Sequence, residues 1–198
     1  MDYSIKPLAK DLAQTFVDYL GNLDFHHAPH WSSCFCRFYY TDCSQEEWMG
    51  RTGQKNAAEA VAMIGNDQMH GYLAFDHDTC IGWCCADNAA RFIRLQNEMG
   101  PIITGKKVGS ILCYVIRPEY RGQGVARQLL KRAVEDFRAQ GYEAVLSLPV
   151  AVKDDLQKRY RGTLHMYEEM GFVCIAQHGQ LSVMWLDLKH DKKRGNRF

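Results

Sequence analysis

The chain has no charge bias: 24 Lys and Arg against 23 Asp and Glu leave a formal net charge of +1 over 198 residues. Nothing in that balance predicts a fold-wide attraction for nucleic acid or another polyanion. It also lacks any run approaching the roughly 18 apolar residues of a membrane span. Its first residues, MDYSIKPLAKD, do not show the basic-then-apolar order of a secretory signal. These absences lead to the expectation of a cytoplasmic protein with neither nucleic-acid nor membrane partners. In such a reducing compartment the eight cysteines are thiols, not a disulfide framework. Cys80, Cys84, Cys85, Cys113 and Cys174 lie in apolar, strand-like stretches, where a free thiol acts as a small hydrophobe. Internal repeats are absent too.

The densest signal that is present runs from Ile111 to Ala126, ILCYVIRPEYRGQGVA. An apolar strand passes through a turn lightened by Gly122 and Gly124 into an amphipathic helix. The first turn of a helix carries N–H groups without partners, and the helix dipole adds partial positive charge there. Glycines let an anion approach those amides closely, and Arg121 adds a cation. A pyrophosphate-bearing ligand is the expectation. Two familiar phosphate loops fail on spacing. A triphosphate loop needs Lys and then Ser or Thr after its second glycine, whereas Val125-Ala126 follows Gly124. A dinucleotide fingerprint needs Gly or Ala three residues beyond the second glycine, where this chain has Arg127.

The surviving pattern, Arg121-x-x-Gly124-x-Ala126, is followed some 40 residues later by Tyr167-x-x-x-Gly171-Phe172. Together they resemble the GNAT superfamily of acyl-CoA-dependent N-acyltransferases over residues 109–188. The resemblance implies a mixed α/β (α+β) fold, with a mostly antiparallel sheet flanked by helices and splayed between its fourth and fifth strands. It implies acetyl-CoA as cosubstrate and a primary amine, of a small molecule or a protein, as acceptor. By position, backbone groups of Tyr114 and Ile116 would pair with pantetheine amides, and the N–H near Ile116 would polarise the thioester carbonyl. The amides of Arg121, Gly122, Gln123, Gly124, Val125 and Ala126 would hold the pyrophosphate. Tyr167 would be the catalytic acid that protonates the leaving thiolate. An Asn that often stands seven residues before this Tyr is here Tyr160. For the base, Glu119 in the loop and His26, His27 and His30 on the acceptor side are all eligible, and none is assigned.

The periodicities give the order β-α-α-β-β-insert-β-α-β-α-β-β. Strands are expected at Tyr3–Ile5, Tyr72–Phe75, Cys80–Cys85, Ala144–Leu148, Phe172–Ala176 and Leu181–Leu188, besides the one before the glycine loop. Ser44 to Glu47 reads as a capping box that starts a helix near Gln45, broken at Gly50–Gly53 and resumed to Ile64. Val125, Ala126, Leu129, Leu130, Ala133, Val134 and Phe137 form the apolar stripe of the helix after the glycine loop. Asp87–Lys107 shows no clean period and is read as an insertion between the third and fourth strands. One acyltransferase domain is expected over 1–188, with Pro149–Arg161 irregular and a basic tail at 189–198. A homodimer is compatible with this reading.

Phe25 to Trp48 crowds aromatics, three histidines and Cys34-x-Cys36 with Cys43 between the first two helices. Trp31-x-x-Cys34-x-Cys36 together with Gly82-Trp83-Cys84 resembles a bacterial subgroup of the same family. The C-x-C spacing is tighter than zinc sites use, so no metal is expected. An aromatic wall with apolar thiols, facing an acceptor that has apolar parts, is the preferred reading. Two rivals stay open at this stage: a sensor of the same fold that binds acyl-CoA without turnover, and a zinc-dependent interaction module.

Overall fold

The computed structural model describes residues 3–26, 28–150 and 160–189. Seven strands form one sheet in the order β1-β2-β3-β4-β5-β7-β6. They are β1 (Ser4–Pro7), β2 (Gly71–Asp76), β3 (Thr79–Asn88), β4 (Val108–Ile116), β5 (Ala144–Ser147), β6 (Val173–His178) and β7 (Leu181–Asp187). Every neighbouring pair is antiparallel except β4 and β5, which are parallel. Among the described residues six α-helices accompany them: α1 (Ala13–Gly21), α2 (Gln45–Met49), α3 (Gly53–Gly65), α4 (Ile93–Ile103), α5 (Val125–Ala139) and α6 (Leu164–Glu169). Among the described residues no helix is long and apolar enough to cross a membrane.

The sheet has a core on each face. Phe16, Leu20, Ile64, Trp83, Phe92, Leu95 and Leu112 pack on the side of α1, α3 and α4. Ile81, Ile111, Leu129, Leu130, Val134 and Tyr167 pack on the side of α5 and α6. The capping box forms as the sequence predicts: Ser44 accepts from the Glu47 N–H, while the Glu47 carboxylate accepts from the Ser44 N–H. The break at 50–53 separates α2 from α3.

The expected aperiodic segment 87–107 requires correction, because it contains α4. Leu95, Met99 and Ile103 recur at four-residue steps on its buried face. Pro101 lies inside the helix and, with Gly100, masks the period in the sequence. Cys80, Cys84 and Cys85 are buried as expected, whereas Cys174 is exposed because β6 is an edge strand. Most of Pro149–Arg161 and of the basic tail lies outside the described residues.

Asp87, only 4% exposed, anchors the end of β3. Its carboxylate accepts from Tyr40 Oη at 2.9 Å and faces His70 Nδ1 at 3.1 Å, while His70 Nε2 faces Asp67 at 2.8 Å. With a carboxylate at each nitrogen the imidazolium is favoured, and the hydrogen bond to Asp87 raises the His70 pKa above its usual value. Stability from this group is therefore complete below about pH 6.5 and declines as pH climbs through the raised folded-state pKa. Urea midpoints for wild type should fall between about pH 6 and about pH 9, and His70→Asn should flatten that difference. An unchanged slope in the variant would exclude His70 as its source.

Candidate active site

The site originates in the geometry of β4. Its partner β5 pairs only along Val108–Ile111, where Ile111 meets Ser147, and β4 then runs five residues further without it. A bulge falls at the same place: Cys85 pairs with Cys113 and Ala86 with Ile111, so Leu112 has no partner. A bulge bends a strand and shifts its side-chain alternation by one. Leu112, Cys113 and Val115 consequently pack on the α1 and α3 side, while Tyr114 and Ile116 face α5. The backbone follows the same phase. Arg117 N–H donates to Ile81 O and Val115 O accepts from Tyr19 Oη at 2.8 Å, both on the β3 side. Alternation turns the amides of Tyr114 and Ile116 to the open side.

That open edge leads to the start of α5. Gly122 and Gly124 have φ of +75° and +82°, the left-handed region that favours glycine, and a Cβ on either would meet only open space. Gly124 is the N-cap of α5, and no side chain caps this N-terminus. The amides that begin with Val125 and Ala126 are thus free to meet a ligand. Arg121, Gly122, Gly124, Val125 and Ala126 line a cleft of about 320 Å³ with Tyr114 and Ile116. Gln123 sits differently: its side chain accepts from Tyr3 Oη at 3.0 Å and donates to Glu119 O, so only its main chain belongs to the loop. Sequence reasoning missed Arg127, Gly162, Thr163 and Met166, which also line the cleft. Arg127 is recoverable as a cation in the first turn of α5; it is paired with Glu169 at 2.7 Å. The other three come from a segment whose approach depends on tertiary packing.

Tyr167 is fully buried where β4 and β5 part, and its hydroxyl donates to Arg161 O at 2.9 Å. Burial pushes its phenol well above the usual range, so it stays protonated at any ordinary pH. Tyr114 Oη and Ser147 Oγ are buried beside the Tyr167 hydroxyl and interact with it. Along the cleft, the open edge of β4 and the uncapped α5 N-terminus offer main-chain groups to a ligand. The residues present therefore fit a long ligand that offers amides along β4 and phosphates at α5.

A second cavity, of about 230 Å³, lies against the other side of β4. Phe25, Trp31, Val115 and Tyr160 line both spaces, so the two are neighbours that share these walls. Trp31 and Tyr160 pack edge to face at 4.8 Å. The Cys34-x-Cys36 turn forms part of the second wall, with Phe35 and Cys36 both at positive φ, of 44° and 51°. Trp83 Nε1–H donates to Cys36 Sγ at 3.1 Å. Hydrogen bonds from Cys113 and Cys85, with that from Trp83, hold the Cys36 thiol well below its usual range. Burial pushes Cys34 up to about 12. Among the described residues no three Cys, His, Asp or Glu side chains are grouped to hold a metal ion. Of the base candidates, His30 lines this cavity; His26 turns outward to Asp24 at 2.9 Å, and Glu119 is exposed near Arg117. His27 lies outside the described residues.

A parallel pair in which β4 outruns β5 and an uncapped helix N-terminus behind two glycines of positive φ fit a ligand that carries a pyrophosphate. Comparison with known proteins agrees. Residues 28–172 match the acetyltransferase (GNAT) family, so the chain belongs to that family. It is an acyl-CoA-dependent N-acetyltransferase with acetyl-CoA as cosubstrate. The chain is 26% identical over 143 residues to the L-amino acid N-acyltransferase MnaT of Escherichia coli K12, covering 65% of this chain and 76% of that one. Among solved structures it is similar to ribosomal-protein-S5-alanine acetyltransferase from Vibrio fischeri, with TM-score 0.58 and 14% identity over 96% of this chain and 95% of that one. It is also similar to the PaiA N-acetyltransferase of Thermoplasma acidophilum in complex with coenzyme A, with TM-score 0.56 and 17% identity over 94% of this chain and 99% of that one.

Proposed function

We propose that the protein transfers the acetyl group of acetyl-CoA to a primary amine by direct attack. The amine nitrogen bonds to the thioester carbonyl carbon, the C–S bond breaks, and the CoA thiolate takes a proton from Tyr167. The amine loses its own proton to water, and water restores that of Tyr167. Backbone amides of Tyr114 and Ile116 bind the pantetheine arm, and the N–H near Ile116 stabilises the developing oxyanion. Amides from Arg121 to Ala126 bind the pyrophosphate. The single domain spans 1–188.

The observation that supports this reading is that two neighbouring cavities share Val115 as a wall, one opening on the α5 N-terminus and one walled by the 25–48 segment. Direct transfer needs donor and acceptor in one continuous space. The test is release of free thiol from acetyl-CoA against a broad panel of primary amines. A chain that binds CoA yet releases thiol with none of them is a sensor, and the proposal fails.

A further inference from the structure

We infer that Cys36 is a site of covalent oxidation: a hydroperoxide entering the second cavity converts it to a sulfenic acid, and Cys113 then closes a disulfide onto it. This oxidation involves no step of the transfer reading above.

The two cysteine motifs of the sequence, which have no part in cofactor binding, meet at this sulfur. Trp83 of Gly82-Trp83-Cys84 is fully buried, and its indole N–H donates to Cys36 Sγ at 3.1 Å. The thiols of Cys113 and Cys85 donate to the same sulfur, and these two residues stand opposite each other where β3 and β4 pair. The bulge at Leu112 is what turns Cys113 to this face. Three donors converging on one sulfur favour the thiolate, the form that attacks a peroxide. Cys36 and Cys113 are both half-buried and line the cavity, so a small oxidant can reach them.

The turn that presents Cys36 is held against its own preference. Phe35 and Cys36 both take left-handed φ, 44° and 51°, which residues with a Cβ seldom adopt. Asn56 Nδ2 donates to Ser33 O at 2.7 Å and Arg37 Nη2 to Glu59 at 2.9 Å, fastening the turn to α3 on either side of Cys36. Backbone kept in a sparsely populated region by its surroundings concentrates at functional sites. Cys34, two residues away, is a poorer nucleophile. Its sulfur accepts from main-chain N–H groups of its own turn, and burial keeps it protonated.

The chemistry balances with the hydroperoxide as oxidant. Cys36 sulfur attacks the peroxide, an S–O bond forms, the O–O bond breaks, and the departing oxygen takes up the proton that Cys36 gave to water. Cys113 sulfur then attacks the sulfenic sulfur; the S–S bond forms, the S–O bond breaks, and hydroxide leaves as water with the Cys113 proton. Two thiols lose two electrons and the peroxide gains them. The bond would tie the 34–36 turn to β4 beside Val115, the wall shared with the cofactor cleft.

The experiment treats the full-length reduced protein with hydrogen peroxide at neutral pH, alkylates the remaining thiols and maps the peptides by mass. Wild type should lose two hydrogens per chain and show Cys36 joined to Cys113. Cys36 should be consumed at least about tenfold faster than Cys174, which is exposed on the edge strand. Cys113→Ser should leave the sulfenic acid at Cys36, where dimedone traps it, and Cys36→Ser should leave Cys113 reduced at the same dose. Thermal unfolding under reductant checks that both variants fold; if either does not, the wild-type map decides alone. Oxidation of Cys174 or Cys34 ahead of Cys36, or a disulfide between any other pair, would overturn the inference.

Discussion

Tyr167→Phe is expected to lower turnover by at least about tenfold, and up to the 10²–10⁴ typical of general-acid help, with CoA affinity nearly unchanged. On the proposed mechanism the leaving thiolate takes its proton from Tyr167, which is buried behind the cleft lining with its hydroxyl on Arg161 O. Because burial keeps the phenol protonated, its loss should depress turnover across the ordinary pH range instead of shifting a pH optimum. The substitution also leaves Arg161 O without the hydroxyl that now bonds it at 2.9 Å, at a cost of about 1–3 kcal/mol in stability. Turnover at saturating acetyl-CoA, CoA affinity by calorimetry and thermal unfolding separate the two effects. A variant that loses stability but turns over like wild type would remove Tyr167 from the chemistry and leave it a packing residue.

Gly124→Ala should weaken CoA binding by at least about tenfold, because a methyl group would stand among the amides proposed to bind the pyrophosphate. The protein itself has nothing within 4 Å of that methyl, so crowding inside the fold is not the cause. Left-handed backbone at φ +82° does cost an alanine roughly 1–2 kcal/mol, which has to be accounted for. Gly141 supplies the control. It follows α5 at the opposite end, with φ +72° and equally open surroundings. Gly141→Ala should lose comparable stability and keep its CoA affinity. Equal losses of affinity in both variants would mean that backbone strain, not ligand contact, is being measured.

The legible part of the site was the part built from consecutive residues. Arg121, Gly122 and Gly124 announce a loop before a helix, and the apolar stripe from Val125 to Phe137 announces which face of α5 is buried. Both depend on interactions within a few residues, so spacing alone reports them. The parallel contact of β4 with β5 is compatible with the intervening helix, since parallel neighbours need a crossover, but is not dictated by it. The hidden helix α4 shows the limit: Gly100-Pro101 obscures a period that burial of Leu95, Met99 and Ile103 restores. Tertiary packing overrode local preference there.

By itself, the sequence determined the glycine loop and most of the elements along the chain, because chain-local hydrogen bonding and hydrophobic period encode them, while the candidate acid Tyr167 came from the resemblance to a family. Only the tertiary structure decided which side of β4 each residue serves. The bulge at Leu112 inverts the alternation, giving Tyr114 and Ile116 to the cofactor cleft and Cys113 and Val115 to the second cavity. It likewise decided that Phe25, Trp31 and Tyr160 share one wall, since residues more than a hundred positions apart meet only when the sheet and its covering segments pack. Local rules carry no information on such contacts: their energy comes from apolar surface removed from water across the whole fold.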